Sequence, residues 1–281
     1  MNKKIFYLHI PKTAGSSMNK FLTSQFQENE SLTHIESKID FSKDEDIKRA
    51  KSYTLLSGHV PLPHIQQKLD VLNERVTLVT LRNPMEHVIS HIAWVRKLGD
   101  KSEEGRLKQH NTTVQKIVKK LLTLDLSKVD DIKKLIYWLE KEKIYLFHDT
   151  QIKYIGGGGG IIQPHIVNSA LVNLKRITYV GISERLGEFQ AMLCDALSWK
   201  IEDAKKQENK NDSYYGLNIQ DEEIRKALQP LIQWDILIYR EARQRFISDM
   251  HLFLSALEMK KGPRYSSVRD ALVMNEYKEK I

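Results

Sequence analysis

The sequence predicts an α/β fold of three layers, with a mostly parallel central sheet flanked by helices. Three observations lead there. Short apolar runs rich in β-branched and aromatic residues recur at 4–9, 53–57, 76–81 and 177–182. Segments of helical spacing separate them, and that alternation produces parallel strands joined by helical crossovers. Two of the runs pass directly into a polar turn and then a helix, the junction at which open α/β sheets collect ligands.

The elements follow in order. Residues 4–9 make the first buried strand; the run is too short for a signal-peptide core or a membrane span. Residues 16–26 read as a helix, 53–57 and 76–81 as strands. The helix at 84–97 has a marked start, with Asn83 to cap it, Pro84 suited to its first position and Glu86 where a capping-box acid stands. Residues 98–109 are polar and read as a surface connection. Helices are expected at 114–122 and 132–141. The five glycines at 156–160 hold no lysine or hydroxyl residue, so they read as a surface loop or an inserted linker. A strand at 177–182 and a helix at 184–197 precede a long helix at 222–248, whose stripe is Leu228, Leu231, Ile232, Ile236 and Tyr239. No linker divides the chain, so one domain over 1–281 is expected, with its core at about 4–250.

Composition narrows the function. The 281 residues carry 44 basic and 36 acidic side chains, a net charge of +8 that suits an anionic ligand or serves solubility alone. The lone cysteine, Cys194, excludes an internal disulfide and fits a reducing compartment. A soluble, cytoplasmic protein with no membrane span is the expectation. Nucleic acid is not an expected partner, because the lysines of 116–120 and 133–143 are interspersed with acids or set on helix surface and form no long basic face with aromatics.

The segment His9-Ile10-Pro11-Lys12-Thr13-Ala14-Gly15-Ser16-Ser17 joins the first strand to its helix. Gly15 allows a close turn, the helix start offers free N–H groups, Ser16 and Ser17 add hydroxyls, and Lys12 adds a movable charge. A nucleotide-triphosphate loop would need Gly-x-x-x-x-Gly-Lys-Ser/Thr, which is absent, and no magnesium-holding acid is evident; both disfavour a kinase. A second junction, Thr80-Leu81-Arg82-Asn83-Pro84, places Arg82 at a strand end, where its guanidinium can grip a phosphate, with Ser90 on the following helix.

These two motifs resemble the 5′-phosphosulfate loop and the 3′-phosphate motif of sulfotransferases, in particular the branch with heparan sulfate 2-O-sulfotransferase and related Golgi and bacterial carbohydrate enzymes. The resemblance spans about residues 4–250 and implies a P-loop-like fold. It implies 3′-phosphoadenosine 5′-phosphosulfate as sulfuryl donor, 3′-phosphoadenosine 5′-phosphate as product, and no metal requirement. By the same resemblance Lys12 touches the bridging oxygen and the transferring group. Thr13, Ala14, Gly15, Ser16 and Ser17 line the 5′-phosphate, and Arg82 and Ser90 the 3′-phosphate. The match is incomplete, since His87 stands where many members have arginine and Ile92 where an aromatic is common.

Transfer to a hydroxyl needs a base, and histidine titrates near neutrality. Of the ten histidines, His59 is placed best, after the second strand in Ser57-Gly58-His59-Val60 with Gly58 to turn the chain. That string resembles the segment that carries the base in the 2-O-sulfotransferase branch. Residues 149–154 resemble the segment near its acceptor, which implies substrate contacts for Gln151 and Lys153. The basic stretch 260–264, with Lys261 and Arg264, is either a loop closing over the 3′-phosphate or a solvated charge run. No histidine or cysteine cluster has metal-site spacing. The acceptor is a carbohydrate hydroxyl by resemblance, with a small alcohol or an alkaloid as the alternative.

Overall fold

The computed structural model describes residues 3–200 and 214–259. Its strands are β1 (Ile5–Leu8), β2 (Ser31–Thr33), β3 (Leu55–Gly58), β4 (Val76–Leu81) and β5 (Tyr179–Ile182). They form one sheet in the order β2-β3-β1-β4-β5, and every pairing is parallel. All residues of β1 and β3 are buried. Side chains alternate between the two faces of a strand, so consecutive burial means that both faces are covered. The α/β fold with a parallel sheet flanked by helices is therefore as the sequence predicts. Leu8 sits beside Gly58 and Val79, so the segments after β1 and β3 leave the sheet side by side.

The helices are α1 (Gly15–Thr23), α2 (Asp44–Ser52), α3 (Leu62–Leu69), α4 (Val71–Glu74), α5 (Pro84–Lys97), α6 (Glu104–Gln109), α7 (Thr112–Leu121), α8 (Val129–Lys141), α9 (Thr150–Gly156), α10 (Pro164–Arg176), α11 (Leu186–Leu197), α12 (Glu222–Leu228) and α13 (Gln233–Met259). None of the described helices is long and apolar enough to cross a membrane. One apolar core lies against the sheet, with Phe6, Leu8, Leu78, Phe189 and Phe246 among its buried residues. A second is built largely from helices and joins Val88, Ile92 and Val95 of α5 to Ile117, Leu135 and Leu228.

Three expectations need correction. The segment 98–109 is not irregular throughout, because it ends in α6. The long helix at 222–248 is two helices: Pro230 lacks the N–H that would continue α12, and a short 3₁₀ turn at Gln229–Leu231 intervenes. The glycine run is built into the fold. A side chain on Gly156 would come within 2.4 Å of the Ile166 carbonyl, and Gly157 and Gly158 hold φ of 91° and 95°. The Gly157 N–H closes the end of α9 on the Lys153 carbonyl at 2.8 Å, at a positive φ that favours glycine. Only Gly159 and Gly160 stand in open space.

Arg75 shows what an arginine does when the fold uses it. At the amino edge of the sheet, its guanidinium donates to the carbonyls of Ile5, Tyr53, Thr54, Ala50 and Lys51. Arg82, at the carboxyl edge, has no such set of carbonyls.

Candidate active site

The loop between β1 and α1 is tied down on two sides. The Thr13 hydroxyl donates to the Ile10 carbonyl at 2.9 Å, and the Thr80 hydroxyl donates to the Thr13 carbonyl at 2.9 Å. Tyr7 completes this buried chain, its hydroxyl 2.6 Å from that of Thr80. From α5, His87 Nε2–H donates to the Pro11 carbonyl at 2.8 Å; a carbonyl can only accept, so the proton is on Nε2. Position 87 therefore acts through the loop backbone, a role its sequence context did not announce.

Lys12 and Ala14 take left-handed backbone, with φ of 66° and 65°. Non-glycine residues avoid that region unless the surroundings impose it, and such strain collects at functional sites. Gly15 is not itself left-handed. Its role is space: a side chain there would lie 1.6 Å from His9 Nε2. The expectation that Gly15 turns the chain is corrected accordingly. Ser16 is exposed and Ser17 partly so at the start of α1, while Thr13 is fully buried with its hydroxyl committed inside the loop.

The partly buried Lys12 ammonium is pushed below its ordinary pKa, first by burial and then by Arg82, Lys97 and Arg106. Every charge acting on it is positive, so the loop is a concentration of cation that an anion would relieve. Arg82 reaches the Lys12 carbonyl at 3.4 Å and pairs with Glu86 at 3.2 Å. Ser90 lies buried on α5.

Gln151 is fully buried, and both ends of its amide are taken: Oε1 accepts from Arg82 N–H and Nε2 donates to the Arg82 carbonyl, each at 2.9 Å. It positions the residue after β4 and leaves no polar atom for an acceptor. Behind it, α9 and α13 cap each other. Asp235 accepts from the N–H groups of Gln151 and Ile152, while Asp149 accepts from those of Trp234 and Asp235. Burial, then the neighbouring Asp149, lifts the Asp235 carboxyl to about 7. Lys153 is buried with its ammonium on the Tyr145 carbonyl at 3.0 Å, and burial lowers it to about 8. Gln151 therefore presents no free group to solvent, and Lys153 turns its ammonium onto the Tyr145 carbonyl. Lys261 and Arg264 lie outside the described residues.

On the other side of the loop, the His59 ring packs against His9 at a 39° tilt with ring centroids 4.1 Å apart, and His9 abuts Gly15. His59 Nδ1–H donates to the His9 carbonyl at 2.7 Å, which leaves Nε2 with a free lone pair. Burial lowers its pKa, against the opposing pull of Glu36. The His59 N–H donates to Glu36 Oε2 at 2.9 Å. Gly58 makes this approach possible, since a side chain there would meet that oxygen at 2.4 Å. It too has no positive φ; space, not turning, is what it supplies. Asn19 links the parts, donating to His9 Nδ1 at 3.4 Å and accepting from the Ser57 hydroxyl at 2.6 Å. His91, buried on α5, has no hydrogen-bond partner at Nδ1, and burial, then the nearby His87, Lys12 and His59, disfavours its protonated form.

The buried histidines set a pH dependence of stability. Burial lowers His9 to about 3, His87 and His148 to about 4, and His91 well below its ordinary 6.5. Each is neutral when folded and takes up a proton on unfolding below pH 6.5. Their contribution is therefore complete above 6.5 and is lost as pH falls toward 4. Asp235, Asp149 and Glu184 act in the opposite sense, because burial raises them. Urea unfolding should show a net uptake of protons between pH 6 and 5, so that stability falls as pH falls through that range. A flat response would mean that these rings are not held neutral.

No family model and no curated protein matches the chain.

Proposed function

We propose that the protein is a sulfotransferase of P-loop-like fold that moves a sulfuryl group from 3′-phosphoadenosine 5′-phosphosulfate to a hydroxyl of a carbohydrate acceptor. One observation carries the reading: a cation-rich strand-to-helix loop lies one imidazole away from a neutral histidine with a free lone pair. Sulfuryl transfer asks for both, positive charge for the departing phosphate and a base for the hydroxyl proton. In this reading the bond from sulfur to the phosphate oxygen breaks while the acceptor oxygen bonds to sulfur. His59 Nε2 takes the proton, and Lys12 meets the charge on the bridging oxygen. The α1 N–H groups and the Ser16 and Ser17 hydroxyls hold the 5′-phosphate, and Arg82 with Ser90 the 3′-phosphate.

Thermal denaturation tests the reading directly. Micromolar 3′-phosphoadenosine 5′-phosphate, without magnesium, should raise the melting temperature, and a screen of carbohydrate, alcohol and amine acceptors with labelled donor should find transfer. Stabilisation by a nucleoside triphosphate only with magnesium would favour a kinase instead. At the 3′ end, Arg82→Ala should weaken binding of 3′-phosphoadenosine 5′-phosphate by about 1.5–3 kcal/mol, the value of a charge-assisted contact. Adenosine 5′-phosphosulfate, which lacks that phosphate, should lose far less. Equal losses by calorimetry would mean that Arg82 does not read the 3′-phosphate.

A further inference from the structure

We propose that His34, Glu36 and His59 form a binding site for a divalent transition-metal ion of the zinc class, and that the bound ion occupies the nitrogen assigned above as proton acceptor. The binding stands on geometry alone; the loss of turnover that follows rests on the sulfotransferase reading.

A ring nitrogen of each histidine and a carboxylate oxygen of Glu36 all lie within 4.8 Å of one another. His34 Nδ1 and Glu36 Oε1 are 3.4 Å apart, about the ligand-to-ligand spacing of a tetrahedral centre with bonds of roughly 2.0–2.2 Å. Two imidazoles and one carboxylate suit zinc, cobalt or nickel rather than magnesium or calcium, which prefer all-oxygen sets. Three protein ligands leave a fourth position open.

The surroundings orient these groups as ligands are oriented. The His9 carbonyl holds His59 Nδ1–H and turns the Nε2 lone pair outward, the usual outer contact of a metal-bound imidazole. One Glu36 oxygen is steadied by the His59 N–H while the other faces His34. His34 itself sits at φ 56°, a conformation that the short turn after β2 must enforce. His34 and Glu36 are exposed, which gives an ion a path in. The set stayed hidden in the sequence because Glu36 and His59 are 23 positions apart and meet only through the pairing of β2 with β3.

Titration of metal-free protein with Co²⁺, read by its visible absorption, and with Zn²⁺ by calorimetry, tests the site. One saturable site is expected, with no binding of Mg²⁺. His34→Asn tolerates the left-handed backbone, and Glu36→Gln keeps an acceptor for the His59 N–H. Each should weaken Co²⁺ by at least the roughly 10- to 100-fold that loss of even an outer contact costs. No saturable binding, or binding unchanged in both variants, overturns the site whatever the protein's activity. Zn²⁺ should also inhibit transfer by the wild type and spare His34→Asn. Binding without inhibition, in protein shown to transfer sulfuryl groups, would overturn the blocking of His59. If no transfer is found under any condition, the sulfotransferase reading fails while the Co²⁺ result still decides the site.

Discussion

Lys12→Ala is expected to lower sulfuryl-transfer turnover about a hundred- to a thousand-fold, the effect of removing one preorganised donor at developing charge, roughly 3–4 kcal/mol. The fold should survive, for reasons that lie in the loop. Lysine and alanine both carry a Cβ, so the left-handed backbone at φ 66° costs either residue about the same. The loop is held by the hydroxyls of Thr13 and Thr80 and by His87, none of which uses the Lys12 side chain. The ammonium is partly buried among Arg82, Lys97 and Arg106 with no opposing charge acting on it. Its removal should leave the unliganded melting temperature equal or higher. The signature is thus a ligand-free protein at least as stable as the wild type, with turnover nearly gone. A folded variant retaining more than a tenth of wild-type turnover would take Lys12 out of the mechanism.

What the sequence disclosed depended on whether the cause was local. β1, β3 and β4 were legible because burial on both faces favours short runs dominated by apolar and β-branched residues. The start of α5 was legible because the Asn83 side chain accepts from Met85 and Glu86, two and three residues on. The loop around Lys12 was legible as a polar turn between strand and helix. Features made by distant partners were not. β2 has three residues and no apolar run, and exists because β3 pairs with it. Gly15 and Gly58 look like turn residues, yet each is small to admit a side chain from elsewhere, His9 in one case and Glu36 in the other. Gln151 looks like a polar group for a substrate, and its amide instead reads the backbone of Arg82. Glycine and glutamine alone cannot say which partner they meet; the register of the sheet decides it. Pro230 was a local signal that the long apolar stripe outweighed.

His59→Ala should reduce turnover by roughly a hundred- to ten-thousand-fold, the range for removing a general base. The side chain is oriented for that task. Its Nδ1–H is spent on the His9 carbonyl, its N–H on Glu36, and its Nε2 is left to accept. Cofactor affinity should change little, because among the described residues the ring packs against His9 rather than against Lys12, Ser16 or Ser17. The variant loses one hydrogen bond to a carbonyl, a stability cost of about 1 kcal/mol that leaves it folded. The pH profile carries the sharper test. Burial lowers the His59 pKa, so the wild-type rate should climb with pH to a plateau, with its half-point below the ordinary 6.5. Below that point the ring is protonated and cannot accept. The residual activity of His59→Ala should lack this acid limb, since the group that produces it is gone. If the variant keeps its rate, or loses affinity for 3′-phosphoadenosine 5′-phosphate as steeply as it loses rate, another group is the base. His59 would then be a strand-end histidine that ties β3 to β1, with its neutral ring packed against His9.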